Sequence, residues 1–160
     1  MKFLWFGKKK VKEELRLEVE KEREPEEVYS VVGFTCETNP MAAAKNTQLH
    51  LEVINSLILS VLSKANSPAD VAAQEFFQAH GANLLPAEGF TYSAERGYSS
   101  RVLDEKTLRT VLIGPAPVIA RASTPFCSVI SAAIADNPQA FVVAVDGIAY
   151  ACYSIKKELV

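Results

Sequence analysis

The sequence predicts an α+β fold: an antiparallel twisted sheet with a helical hairpin and short helices packed on it. Three observations lead there. Two apolar stretches recur with helical period on either side of Asn66-Ser67-Pro68. Several β-rich runs then follow one another across turn-length gaps, the pattern of a meander. Asp146-Gly147 separates the last two runs and is the strongest short-range hairpin signal in the chain.

In chain order, Val28 to Phe34 is short and β-rich and reads as a strand, followed by turn-forming residues from Thr35 to Pro40. Gln48 to Lys64 carries apolar residues at 49, 51, 53, 54, 57, 58, 61 and 62, one face of a helix. Ser67 can cap a second helix with Pro68 at its first position and Asp70 in its first turn. That helix runs to about His80, where Gly81 is a natural stop. Asn83 to Tyr92, Tyr98 to Leu103 and Leu108 to Ile113 read as strands, with turns near Arg96-Gly97 and at Asp104-Glu105-Lys106. Gly114 to Pro117 reads as a loop and Val118 to Ala122 as one helical turn. Thr124-Pro125 opens a helix to about Ala135, and Phe141 to Val145 with Ile148 to Ile155 completes the hairpin. The helices are expected on one face of the sheet.

The chain has 160 residues, 49% of them apolar, enough for one packed domain. Residues 1–27 hold eight of the 17 Lys and Arg and eight of the 19 acidic residues, so a charged tail (1–27) and a folded body (28–160) are expected. Within the tail, Val11, Leu15 and Val19 keep a helical period while Leu15, Leu17 and Val19 alternate as on a strand, and the residues do not decide between them. The tail begins with an apolar tip followed by Lys8-Lys9-Lys10, which suits peripheral contact with an anionic membrane through residues 1–10, or packing of the tip on the body. A net charge of −2 disfavours nucleic-acid binding. Three scattered cysteines fit a reducing cytoplasm, and two histidines without metal-ligand spacing give no metal site. No GxSxG elbow, phosphate-binding GxxxxGK[ST] loop or GxGxxG turn is present. From the residues alone, catalysis is not visible.

Three segments carry a further signal. Ser67-Pro68-Ala69-Asp70-Val71-Ala72 is similar to a "PTE-x-AL" helix start. Phe90-Thr91-Tyr92-Ser93-Ala94-Glu95-Arg96-Gly97-Tyr98-Ser99 is similar to an "F-P-F-S-S-E-R-K-x-S" strand and turn. Val111-Leu112-Ile113-Gly114-Pro115-Ala116-Pro117 is similar to "x-x-K-G-A-P-E". In this order, over roughly residues 45–155, they resemble the nucleotide-binding (N) domain of P-type cation-transporting ATPases.

The resemblance implies an adenine-nucleotide site, for ATP or ADP and without a metal. Tyr92 matches the aromatic that stacks on adenine, a contact worth about 1–3 kcal/mol per base; otherwise it is an ordinary strand tyrosine. Phe90 and Ser93 belong to the same motif and are candidates with it. Asp70 matches the acidic residue that reaches the adenine amino group, one methylene shorter, or it is a first-turn carboxylate favoured by the helix dipole. Arg96 matches the motif's arginine and suits a phosphate, Glu95 or water. Gly114 matches the glycine that lets backbone approach the ligand, or it is a Gly-Pro turn.

Two departures weaken phosphate binding: Gly97 and Ile113 stand where the resemblance expects lysines. No Asp precedes Asp70, so the family's phosphorylated "DKTGT" aspartate is not in this sequence. The expectation is a free-standing, cytoplasmic, non-catalytic module that binds adenine nucleotide with reduced affinity. The alternative is a degenerate N domain used as a regulatory or protein-interaction module, for which an apolar Ile113 would suit a protein contact.

Overall fold

The computed structural model describes residues 26–44 and 47–160. The expectations for the tail, membrane contact through residues 1–10 and helix or strand over 11–24, lie outside the described residues. Among those described, 29–157 form the main body; 26–28 and 158–160 form a separate small unit, in which the Val160 amide donates to the Glu26 carbonyl at 2.9 Å.

The elements run β1 (Glu27–Cys36), α1 (Leu51–Leu62), α2 (Pro68–Ala79), β2 (Ala87–Ser93), β3 (Gly97–Asp104), β4 (Thr107–Pro115), α3 (Ala116–Ala122), α4 (Ser128–Asp136), β5 (Phe141–Val145) and β6 (Ile148–Leu159). The six strands form one antiparallel open sheet in the order β1-β6-β5-β4-β3-β2. The architecture is α+β.

Helix α2 shows how local sequence sets an element. The Ser67 hydroxyl accepts from the Asp70 amide at 3.2 Å, and Pro68 follows at the first helical position. Past its end Gly81 takes φ +84°, so the Gly81 amide reaches the Gln78 carbonyl (3.2 Å) and the Ala82 amide the Phe77 carbonyl (3.0 Å), closing a Schellman motif. Gln74 extends from α2 and donates to the carbonyls of Leu62 (2.5 Å) and Ala65 (2.9 Å), satisfying the end of α1. At Asp146-Gly147 both residues have positive φ, +50° and +80°, the left-handed pair that a two-residue hairpin needs.

Helices cover both faces of the sheet, not one. In β5, Val143 and Val145 join a core with α1 and α2 that includes Ile54, Leu57, Ile58 and Phe77. Val142 and Ala144 join a second core with Ile119 of α3 and Ile130 of α4. A central strand that is apolar at every position offers no solvent face, so both sides must be covered. The run FVVAV lacks the polar–apolar alternation that a one-sided sheet requires.

Three boundaries also differ from the sequence reading. The strand expected from Asn83 begins at Ala87, because the Asn83 and Leu85 amides donate to the buried hydroxyls of Ser56 (2.9 Å) and Ser60 (2.8 Å), and Pro86 has no amide to give a ladder. The loop expected at Gly114–Pro117 is absent. Strand β4 continues through Pro115 and α3 starts at Ala116, since proline is tolerated in a first helical turn. Helix α4 starts at Ser128 and not at Pro125; the Thr124 amide is instead tied to the Gly147 carbonyl at 2.8 Å.

Candidate functional site

The β2–β3 hairpin brings the aromatic residues together. Tyr92 lies opposite Tyr98 in register, so both side chains share the face covered by α2. Their ring centroids are 4.9 Å apart, and Phe90 also stacks with Tyr98, at 5.8 Å. Phe90 is half-buried against the core, whereas Tyr92 is 63% exposed. Of the two candidate aromatics, Tyr92 presents an open face and Phe90 does not.

Between this hairpin and the start of α2 is a cavity of about 270 Å³. Its lining includes Asp70, Ala73, Tyr92, Tyr98, Gly114 and Tyr153. Ser93 and Gly97 border it as well. The Asp70 carboxylate is anchored here, accepting from the Tyr98 hydroxyl at 2.6 Å and from the Ser67 hydroxyl at 2.5 Å, both on Oδ2. Burial first, then this hydrogen bond and the Asp70 charge, push the Tyr98 phenol well above its ordinary range. It therefore remains a donor to Oδ2, and the second carboxylate oxygen takes no part in either bond. Among the residues lining the cavity, Asp70 is a carboxylate with no Lys or Arg beside it.

The opposite face of the same hairpin borders a wider groove of about 850 Å³, where Arg96 and Arg121 meet Thr91, Ser99, Leu112 and Ile119. Tyr92 and Ser93 border both hollows. The structure thus gathers Asp70, Tyr92, Ser93 and Gly114 around one cavity, sets Arg96 on the groove side, and places Phe90 against Tyr98.

Gly97 and Gly114 are close-packed backbone. A Cβ built on Gly97, which has φ +72°, would lie 2.3 Å from the Ile113 carbonyl oxygen; one on Gly114 would lie 3.3 Å from the Gly97 Cα. Ile113 is 1% exposed and belongs to the α1–α2 core. This corrects the sequence reading of Ile113 as a surface for protein contact: strand alternation turns its side chain inward beside Tyr98.

Sequence reasoning missed Tyr98 and Arg121. Tyr98 could have been found by counting outward from the 94–96 turn, which sets it opposite Tyr92. Arg121 had no signal beyond its place in a short helix.

Similar architecture occurs in solved structures. The N-domain of HMA8, a copper-transporting P-type ATPase, matches with a TM-score of 0.57 at 11% identity, covering 79% of this chain and 99% of that one. The N-domain of HMA6, also a copper-transporting P-type ATPase, matches at 0.55 and 15%, covering 80% and 98%. The fold is N-domain-like. A third match is the catalytic domain of the CPx-ATPase CopB-B, described for its conformational changes upon nucleotide binding, at 0.50 and 14%. The match covers 83% of this chain and 39% of that one, so this chain spans well under half of the length of that structure. No protein-family model matches the sequence, and no curated protein matches it. Among the described residues no helix is long and apolar enough to cross a membrane, and no group of His, Cys, Asp and Glu could hold a metal ion.

Proposed function

We propose that this N-domain-like chain binds an adenine nucleotide in the cavity between α2 and the β2–β3 hairpin, without turning it over. The observation that carries the reading is that the exposed Tyr92 ring and the anchored Asp70 carboxylate border one cavity of about 270 Å³. A flat aromatic face and a fixed acceptor are what a purine with an exocyclic amino group needs. Adenine would stack on Tyr92 with its amino group toward Asp70, against a wall that includes the close-packed backbone of Gly97 and Gly114. The nucleotide-related conformational change described for CopB-B, which shares the fold, supports the choice of ligand.

Affinity should be low. Gly97 and Ile113 supply no cation to the cavity, and Asp70 repels phosphate. Binding without turnover is the reading because the one carboxylate of the lining, Asp70, is engaged by the hydroxyls of Ser67 and Tyr98 as an anchored acceptor. Calorimetric titration with adenosine tests the reading. Wild type should give a saturable isotherm in the millimolar range or tighter, and Tyr92→Ala should weaken it about tenfold or more. Equal affinity of the two proteins would refute it.

A further inference from the structure

The cavity and the groove meet along Tyr92 and Ser93 and differ in charge. The cavity lining has Asp70 and no basic residue. The groove lining has Arg96 and Arg121 against the single carboxylate of Glu95, with hydroxyls from Thr91, Ser93 and Ser99. The Arg96 turn is fixed, its amide donating to the Ser93 hydroxyl (3.0 Å) and carbonyl (3.3 Å). Arg121 lies along α3, its Nε donating to the Pro117 carbonyl at 3.2 Å. Among the described residues neither guanidinium is in an ion pair.

Resting on the adenine reading above, we propose that the phosphates of the bound nucleotide leave the cavity past Ser93 and lie in the groove on the opposite face of the hairpin, held by Arg96 and Arg121. Size and charge both argue for this path. A cavity of about 270 Å³ sits below the ~300–1,000 Å³ usual for drug-sized ligands and suits a nucleoside better than a whole triphosphate. Phosphates kept inside would face Asp70, whereas in the groove they meet two guanidinium groups, whose planar fork matches phosphate oxygens. The groove arginines thereby supply the positive charge that Gly97 and Ile113 do not. Arg121 is a phosphate-binding residue that no resemblance in the sequence indicated.

Parallel titrations with adenosine and ATP at low salt, read by calorimetry and by backbone amide shifts, test this. ATP should bind about tenfold tighter than adenosine, and Arg121→Gln should remove most of that advantage. ATP should shift the amides of Arg96, Ser99 and residues 118–122, which adenosine leaves in place. If both ligands bind alike and neither moves residues 118–122, the phosphate path is wrong while the adenine reading stands. If adenosine itself does not bind, the adenine reading fails and the phosphate path with it.

Discussion

The Tyr98 hydroxyl donates to the Asp70 carboxylate across 2.6 Å, joining strand β3 to the first turn of α2. The two residues are 28 positions apart in sequence, and this bond closes one wall of the candidate cavity.

Tyr98→Phe keeps the ring and deletes this bond. A hydrogen bond to a charged acceptor is worth about 1.5–3 kcal/mol, and partial exposure of both partners puts the expected loss toward 1 kcal/mol, read from urea unfolding at pH 7. The same residue shapes the alkaline limb. Its folded-state value is raised, so its contribution is complete below the ordinary tyrosine value of about 10. That contribution is lost as pH rises from there, because the unfolded chain releases the proton first. Buried Tyr153 acts in the same direction, as does Cys36, pushed by burial up to about 11. Stability should therefore fall above about pH 9, less steeply in Tyr98→Phe than in wild type; identical slopes would show that Tyr98 does not contribute.

Gly97→Ala forces a Cβ to within 2.3 Å of the Ile113 carbonyl oxygen at φ +72°. Neither atom is at the end of a flexible side chain, so β3 and β4 must separate. The expected cost is about 2–4 kcal/mol. Gly33→Ala is the control, with φ +64° but nothing within 4 Å, and should cost about 1 kcal/mol. Equal costs would mean that the close approach is not what requires glycine at position 97.

Ser67→Ala removes the cap of α2 and one of the two hydroxyls on Asp70 Oδ2. About 1 kcal/mol should be lost on urea unfolding. Hydrogen exchange should accelerate at the Asp70 amide, whose acceptor is gone, while α1 amides keep their protection. Unchanged exchange at Asp70 would show that the cap contributes nothing there.

How far the sequence disclosed the molecule depended on whether the signal was local. The Ser67-Pro68 start, the Gly81 stop and the Asp146-Gly147 turn are written in adjacent residues, and each is found where its chemistry set it. The second core was not foreseen. Burial on both faces of β5 depends on α3 and α4 returning to the far side of the sheet, a long-range fact. The run Asn83–Pro86 looked like strand because its competitors, the hydroxyls of Ser56 and Ser60, are more than 20 residues away. At the site, Asp70, Tyr92, Ser93 and Gly114 were nameable from the family resemblance of the segments that hold them. The partition that sends Arg96 to the other face was not, because it follows from the cross-strand register at the sheet edge. Gly97 read as a missing lysine, and the structure gives it a steric reason instead.

The most direct test of the central claim is an intermolecular NOE experiment on the adenosine complex. Adenine H2 and H8 should give cross-peaks to the Tyr92 ring protons and to the Ala73 methyl group, residues of the one cavity. Saturable binding with cross-peaks elsewhere, or no binding at millimolar adenosine, would contradict the account.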